Sequence, residues 1–231
     1  MSQSSTTERL VLAKLIEKKE VTPNTYELTF LLDRHMEYNA GQYIWVDLPQ
    51  IRHDDPRGSR RSFSLISAPS ESREIVILVE GGESGFKKTL LNLPDGAEVN
   101  IIGPFGFTFC LPTYADTPIV LIASGTHVSP CISLMRCIGM KRPDHQVTFF
   151  YVNDTQGAVP YNDEIFSMNT PDGNHRGVVL ARPLAWDDIK DLPELQKSAF
   201  LISGSEEMVD AVSDLLITNG IFTHQLHYER T

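Results

Sequence analysis

The chain has 231 residues and a formal net charge of −10, and its 41% hydrophobic and 22% charged content is typical of a globular protein with a buried core. The acidic balance argues against non-specific binding to nucleic acid or to an anionic membrane. No run of about 18 apolar residues is present, so no membrane span is expected. The polar start lacks the apolar segment of a signal peptide, which favours a cytoplasmic location.

Short strands separated by turns are predicted for the first half of the chain, delimited as residues 1–112 with a flexible tail at 1–8. The predicted strands are TYELTFLL, GQYIWVDL, RSFSLIS, EIVILVE and AEVNIIG. One helix, SGFKKTLLNL, interrupts the series and is ended by Pro94-Asp95-Gly96. Several short strands at this spacing predict an antiparallel barrel or sandwich.

The second half, residues 113–231, has a different pattern. Its apolar runs PIVLIAS, VTFFYV, GVVLA and AFLIS have strand length and are nearly continuous, as in parallel strands that are covered on both faces. Helical segments separate them, and HQLHYE is predicted as a last strand. Alternating strands and helices predict a doubly wound parallel sheet of the α/β class. We therefore expect two domains.

Two strand-to-helix turns of this second half are candidate ligand sites, because ligands of open parallel sheets bind at the carboxyl ends of the strands. The first turn contains Gly125, Thr126 and His127, and the second contains Gly204 and Ser205. Backbone amides at such a helix start favour a phosphate. The alternative is that Gly and Ser in these turns merely cap the helices.

The first half contains a second candidate anion site. Lys87 and Lys88 lie near the start of the predicted helix, where cations are unusual. A bound pyrophosphate would explain them, and a solvated surface turn is the alternative. Arg61 precedes a strand in which Phe63 and Ser64 provide an aromatic and a hydroxyl face, as a flat, partly polar ring would need. These residues indicate a flavin or a nucleotide.

The cysteines and histidines do not predict a metal site. Cys110, Cys131 and Cys137 lack metal-ligand spacing and are too few for an iron–sulfur cluster, which normally takes four. Their apolar neighbours favour buried, unpaired thiols over a reactive or metal-binding role. The histidines outside the 124–127 turn lack a paired carboxylate spacing. We therefore expect no metal.

Five segments, taken in order, resemble motifs of the ferredoxin–NADP reductase superfamily. They are AGQYIWVDLP, RSFS, SGFKKTLLNLPDGAEVNIIGPFG, ASGTHVSP and SGSEEMVDAV. The resemblance covers residues 9 to 228, and it is greatest to the compact, cluster-free NAD(P)H:flavin reductases and ferredoxin reductase-like members. It implies an N-terminal antiparallel Greek-key β-barrel that binds flavin, followed by an α/β domain that binds a nicotinamide nucleotide.

For the barrel, the resemblance implies FAD as cofactor, with FMN as the alternative. Arg61 would pair with the pyrophosphate, Phe63 would lie against the isoalloxazine, and Ser64 would act as the catalytic residue near N5. The backbone amides of Gly85, Phe86 and Lys87 would complete the phosphate site. Arg57 and Arg60 are expected to face solvent rather than a redox partner. The complete set of flavin-site residues is Arg61, Ser62, Phe63, Ser64, Val79, Gly85, Phe86 and Lys87.

For the second domain, the resemblance implies NADH or NADPH as substrate. Ser124 and His127 replace family glycines, and the His127 side chain would either narrow the nicotinamide cleft, lie to one side of it, or donate to a phosphate. Asp154 would repel a 2′-phosphate and favours NADH, whereas Arg182 would counter it. The complete set of nucleotide-site residues is Gly125, Thr126, His127, Asp154, Arg182, Gly204, Ser205 and Met208.

The implied function is hydride transfer from NAD(P)H to FAD, followed by electron transfer to a separate acceptor. That acceptor would be a ferredoxin or flavodoxin, free flavin, or a partner oxidoreductase. The alternative is a flavin-binding electron-transfer or regulatory subunit with weak or no pyridine-nucleotide binding. Family members often cover the flavin with a C-terminal aromatic residue, and Tyr228 is the candidate, although it fits the last strand equally well.

Overall fold

A computed structural model describes residues 10–70, 72–106, 117–153 and 159–230. Its first part is an antiparallel sheet that carries one helix, α1 (Gly85–Leu91), between the fifth and sixth strands. The strands are β1 (Leu10–Thr22), β2 (Thr25–Leu32), β3 (Tyr43–Asp47), β4 (Arg60–Ser64), β5 (Glu74–Glu80) and β6 (Glu98–Phe105). Helix α1 starts where the sequence predicts, because the Ser84 hydroxyl caps it by accepting the Lys87 amide N–H at 3.2 Å.

The six strands run in the order β4-β3-β6-β1-β2-β5 and close into a barrel. Closure follows β4, where Leu65 pairs with Ile77 of β5. Side chains alternate as the sequence predicts: Ile44 and Val46 of β3 are fully buried, whereas Tyr43 and Trp45 are partly exposed on the opposite face. The buried set forms one apolar core inside the barrel.

The second part is a parallel sheet in the order β11-β10-β7-β8-β9. Its strands are β7 (Ile119–Ala123), β8 (Val147–Val152), β9 (His175–Leu180), β10 (Ala199–Gly204) and β11 (Leu226–Arg230). The helices are α2 (Ser129–Lys141), α3 (Asn162–Ser167), α4 (Trp186–Ile189) and α5 (Glu206–Thr218). Both faces of the sheet are covered, with α2 and α3 on one side and α4 and α5 on the other. This is why the strands are apolar without alternation.

Apolar packing and hydrogen bonds join the barrel to the parallel sheet. Ile66 and Leu78 of the barrel belong to the same buried cluster as α2. Ser133 of α2 donates to the carbonyl of Ser67 at 2.8 Å, and the Arg136 guanidinium donates to the carbonyl of Ile66 at 3.0 Å. The two parts therefore share a continuous apolar interface with hydrogen bonds at its edge.

The predicted fold class, a β-barrel followed by a doubly wound parallel sheet, is confirmed. The predicted division between residues 112 and 113 lies outside the described residues and stays a prediction. Helix α4 was not predicted, since four residues give no usable periodicity. Tyr228 lies in β11 and packs against the sheet core, so the last-strand interpretation is correct. No helix among the described residues is long and apolar enough to cross a membrane.

Candidate functional site

A groove of about 720 Å³ lies between the barrel and the turn that follows β7. Its lining combines aromatic rings, hydroxyl groups and charged side chains, the composition expected of a site for a polar ring system that carries phosphate. The lining residues are Tyr43, Trp45, Arg57, Arg61, Ser62, Phe63, Ser64, Leu78, Glu80, Gly82, Glu83, Ser84, Lys87, Thr126, His127, Ser129 and Glu229.

All four residues of the RSFS motif, Arg61 to Ser64, lie on β4 and line this groove. Phe63 is half-buried, and its ring stacks on that of Phe86 with 6.1 Å between the centroids. The same ring of Phe86 lies under the guanidinium of Arg61, 5.2 Å from its Cζ. Aromatic packing therefore holds the motif strand against α1.

The hydroxyl of Ser64 meets a carboxyl group that the sequence analysis did not select. Ser64 Oγ donates to Glu229 Oε1 at 2.7 Å, from strands that are 165 positions apart. The second oxygen, Glu229 Oε2, is buried and accepts no hydrogen bond from the described residues. Burial raises the pKa of Glu229, against the opposing effect of the Ser64 hydrogen bond. The groove thus contains a hydroxyl–carboxyl pair that can hold a proton.

Three of the other predicted flavin residues pack against protein groups and do not line the groove. Val79 is buried in the barrel core, and its neighbours Leu78 and Glu80 line the groove instead. Gly85 is required by chain packing, because a Cβ there would lie 2.4 Å from the carbonyl oxygen of His53. The Phe86 ring is in the barrel core, and its amide N–H donates to Asp55 Oδ2 at 2.9 Å.

Lys87, the last of the predicted flavin residues, does line the groove. Its amide N–H donates to the Ser84 hydroxyl. Its side chain packs close to Gly82, since a Cβ added to that glycine would lie 3.2 Å from Lys87 Cδ. The amides of Phe86 and Lys87, which the resemblance assigns to the flavin phosphate, thus already have partners, while the Lys87 side chain lines the groove.

On the opposite wall, Thr126 and His127 line the groove as predicted for a nucleotide site. They follow β7 in a 3₁₀ turn (Gly125–Val128), in which Gly125 has a φ of +55°, a conformation that favours glycine. Burial lowers the pKa of His127, although Glu80 opposes this effect. The imidazole is therefore neutral over most of the physiological pH range and takes up space at the cleft.

Five other predicted nucleotide residues that the structure describes do not line this groove: Gly125, Arg182, Gly204, Ser205 and Met208. Gly204 is tightly packed, since a Cβ there would lie 2.7 Å from Met208 Sδ and 3.2 Å from Ser124 Oγ. The Ser205 hydroxyl caps α5 by accepting the amide N–H of Met208 at 3.3 Å. Both strand-to-helix turns nevertheless meet at one edge of the sheet, because β7 and β10 are neighbours.

Arg182, predicted to contact the nucleotide, makes a bidentate ion pair with Asp188. Its Nη1 and Nη2 donate to the two carboxylate oxygens at 2.8 and 2.6 Å. This pairing holds the pKa of Asp188 below its usual range. Asp154, the other residue expected to discriminate between nucleotides, lies outside the described residues.

Ten residues of the groove lining were not in the predicted site, and they include Tyr43, Trp45, Arg57 and Glu229. Tyr43 and Trp45 lie on the face of β3 opposite to the core, which the alternation of that strand already indicated. Glu229 pairs with Ser203 at the carboxyl end of the parallel sheet. The rule that ligands bind at this edge would have selected Glu229 if it had been applied to the last strand.

Residues 12–109 match the family model of the oxidoreductase FAD-binding domain, which covers the barrel. This match covers less than half of the chain, and it supports the resemblance to the ferredoxin–NADP reductase superfamily that the motifs indicate. The chain is 26% identical over 235 residues to the phenol hydroxylase P5 protein of Acinetobacter pittii, covering 94% of this chain and 64% of that protein. It is 25% identical over 232 residues to the reductase component of propane 2-monooxygenase from Mycolicibacterium goodii, covering 90% and 65%.

Among solved structures, the ferredoxin–NADP⁺ reductase of Plasmodium falciparum superposes on this chain with a TM-score of 0.79 at 19% identity. The match covers 99% of this chain and 98% of that one, and it shows a shared fold. By contrast, the chain spans 55 to 65% of the length of the first curated relatives that it matches.

The residues present in the groove fit FAD, the cofactor of the matching domain. Phe63, Tyr43 and Trp45 provide aromatic surface, and Arg57 with Lys87 provides positive charge. Glu229 Oε2 is a buried acceptor without a hydrogen bond from the described residues, which is expected where a polar ligand completes the site. Among the described residues, no cluster of three or more His, Cys, Asp or Glu side chains forms a candidate metal site.

Proposed function

We propose that this protein is an FAD-dependent oxidoreductase that takes hydride from NADH and passes electrons to a separate acceptor. The observation that supports this proposal is the shared groove, in which the RSFS strand of the barrel faces the Gly125–Val128 turn of the parallel sheet. A flavin on one wall and a nicotinamide on the other would then be close enough for direct transfer.

FAD, when bound, supplies the two-electron chemistry that no side chain of this protein offers. Phe63 would pack against the isoalloxazine, and the Ser64–Glu229 pair would border its reactive edge. Ser64 Oγ–H donates to Glu229 Oε1, and the raised pKa of Glu229 favours a carboxyl group that can hold a proton on its free oxygen. We assign to this pair the storage of a proton next to the flavin.

The nucleotide is proposed to be NADH. Arg182 has its charge neutralised by Asp188, so it offers little to a 2′-phosphate. The expectation from Asp154 points the same way but rests on the sequence alone. Both residues therefore support a preference for the nucleotide without the extra phosphate.

The acceptor is proposed to be a partner oxygenase or the electron carrier that serves it. The relatives described above are a phenol hydroxylase protein and the reductase component of a propane monooxygenase. A ferredoxin, a flavodoxin or free flavin would fit the same chemistry. The cytoplasmic location expected from the sequence remains a prediction.

A second candidate function is a flavin-binding electron-transfer or regulatory subunit that does not use pyridine nucleotide. The observation in its favour is that His127 lines the groove where the family has glycine, and Ser124 replaces a glycine of the same turn. A side chain at this position reduces the space for a nicotinamide.

One experiment separates the two functions. The protein is loaded with FAD, freed of excess flavin, and mixed anaerobically with NADH and then, in a separate sample, with NADPH. A reductase loses the oxidised flavin absorbance within seconds, and faster with NADH. Flavin that is retained but bleached by neither nucleotide supports the subunit function, and protein that retains no flavin contradicts both.

A further inference from the structure

Helix α2 carries a polar stripe that faces the barrel. Ser129, Ser133 and Arg136 are spaced four and three residues apart, so they lie on one face of the helix. Ser129 lines the groove, whereas Ser133 and Arg136 donate to backbone carbonyls of the barrel at 2.8 and 3.0 Å. One helix therefore joins the nucleotide wall of the groove to the barrel, and Arg136 lies about 10 Å along its axis from Ser129.

The accepting carbonyls belong to the segment that continues the RSFS strand. Ile66 and Ser67 follow Ser64, which is the last residue of β4 and part of the groove lining. Ile66 donates its amide N–H to the carbonyl of Val76 at 2.9 Å, and the Ser67 hydroxyl accepts the Val76 amide N–H at 3.1 Å. This segment is therefore fixed within the barrel, and α2 is bonded to it two residues beyond the groove.

Arg136 uses three nitrogens of its guanidinium in this contact. Nε and Nη2 donate to the two carboxylate oxygens of Glu164 in α3 at 2.7 and 2.8 Å, while Nη1 donates to the carbonyl of Ile66. The Cζ atom lies 5.6 Å from the centre of the Tyr161 ring. A planar group with several donors can hold a carboxylate and a carbonyl at fixed angles, which a lysine ammonium group cannot do. The geometry of this contact therefore requires arginine.

Tyr161 extends the contact to a second strand of the barrel. Its hydroxyl donates to Glu27 Oε1 of β2. Burial is the main cause of a raised pKa at Tyr161, and Glu27 adds to it, so the phenol stays protonated. The backbone of Tyr161 has a φ of +63°, a conformation that is unfavourable for a residue other than glycine. Such a conformation persists only where surrounding contacts maintain it, and the contacts with Arg136 and Glu27 contribute to this.

We propose that Arg136 and Tyr161 are positioning residues that set the spacing between the two walls of the groove. Neither is among the described residues that line the groove, so they act through α2 and through the segment that follows β4. Because hydride transfer requires the reacting atoms to be in near contact, a small displacement of one wall slows the transfer. This inference rests on the proposed function and deepens it, since it names residues outside the groove on which the rate depends.

The test measures anaerobic reduction of the FAD-loaded protein over a range of NADH concentrations. Arg136→Lys keeps a positive charge beside Glu164 but loses the bidentate geometry, and the limiting rate of flavin reduction is expected to fall about tenfold. Tyr161→Phe loses the hydroxyl that reaches Glu27, and a fall of about threefold is expected. The NADH concentration that gives half the limiting rate, and the Kd for FAD, should stay within about twofold of wild type, because the groove lining is intact.

Hydrogen–deuterium exchange of the flavin-free proteins provides a second measurement that does not depend on reduction. Peptides that contain residues 65–68 and 125–128 are expected to exchange faster in Arg136→Lys than in wild type, since the contact that holds these segments is weakened. Lys141→Gln is the matched control, because Lys141 is an exposed cation in the last turn of the same helix and is not part of the groove lining. This variant should leave both the rate and the exchange unchanged.

An unchanged limiting rate in both variants would overturn the inference, whatever their exchange. A loss of FAD affinity as large as the loss of rate would also overturn it, because it would indicate general destabilisation. In either case the flavin function stands. If Arg136→Lys fails to fold, Tyr161→Phe decides the test, since it removes a single oxygen atom. A wild-type protein whose flavin NADH does not reduce would instead overturn the proposed function, and the inference with it.

Discussion

The two walls of the groove differ in how far hydrogen bonds within the protein already fix the positions of their polar side chains. On the barrel wall, Ser64 is bonded to Glu229 and Arg61 to Asp55, so this wall is already shaped. On the wall formed by the parallel sheet, Thr126, His127 and Ser129 line the groove, and Ser129 Oγ donates to the carbonyl of Thr126 within the same short segment at 3.0 Å, whereas the bonds of the barrel wall join separate segments. Because preorganised sites bind more tightly than sites that must rearrange, we expect tight flavin binding and weaker, more adjustable nucleotide binding.

The largest effect is expected on the barrel wall. Phe63→Ala removes an aromatic surface of the groove and its stacking on Phe86, so flavin affinity should fall by about 30-fold, or about 2 kcal/mol. Fluorescence titration with FAD measures this loss. Phe105→Ala is the control, because Phe105 packs on Tyr43 but does not line the groove. Equal affinities of the two variants would show that Phe63 is not a flavin contact.

The next effect concerns the choice of nucleotide. Asp188→Asn removes the carboxylate that neutralises Arg182, which should then be available to a 2′-phosphate. The ratio of kcat/KM for NADPH to that for NADH is expected to rise about fivefold, measured by anaerobic flavin reduction. Asp187→Asn on the same helix removes a carboxylate that pairs with Lys190 and should leave the ratio unchanged. An unchanged NADPH-to-NADH ratio in both variants would show that Arg182 does not contribute to nucleotide recognition.

A smaller effect is expected at the cleft. His127→Gly removes a partly buried ring from the nucleotide wall, and the Kd for NADH should fall about threefold while flavin affinity stays the same. Anaerobic isothermal titration measures NADH affinity on protein whose flavin has already been reduced, and flavin affinity on flavin-free protein. His127→Ala separates loss of the ring from added backbone freedom and should give a similar change. An unaltered Kd in both variants would mean that the histidine does not narrow the cleft.

The smallest effect is on stability. Burial raises the pKa of Glu229 above 4.5, so the folded protein favours the protonated carboxyl group. This contribution is fully present below pH 4.5 and is lost as pH rises through the raised pKa. Relative to Glu229→Gln, the wild type should therefore lose about 2 °C in Tm between pH 4.5 and 7.5. The exposed Glu17→Gln is the control, and parallel curves for wild type and Glu229→Gln would rule out the burial effect.

Local signals in the sequence were sufficient for the fold. The apolar runs of β7 and β10 and the alternation of β2 and β3 follow directly from the periodicity of covered and half-buried strands. The caps also follow from local chemistry. Ser84 and Ser205 were placed in the turns that start α1 and α5, and each hydroxyl accepts an amide N–H of its own helix.

The details of the site were harder to predict from the sequence, because they depend on contacts between distant segments. The Ser64–Glu229 pair joins residues 165 positions apart, and no local pattern marks it. Gly85 shows a second difficulty. A glycine at this position was expected to let a phosphate approach the backbone. In the structure, the group close to Gly85 is the carbonyl oxygen of His53. Asp55 similarly takes the amide that the sequence analysis had reserved for the ligand.

The most direct test of the groove as the flavin site is a crystal structure of the protein soaked with FAD. We predict density for the isoalloxazine against Phe63, beside the Ser64–Glu229 pair. FAD bound elsewhere on the protein, with the groove left unchanged, would contradict the account.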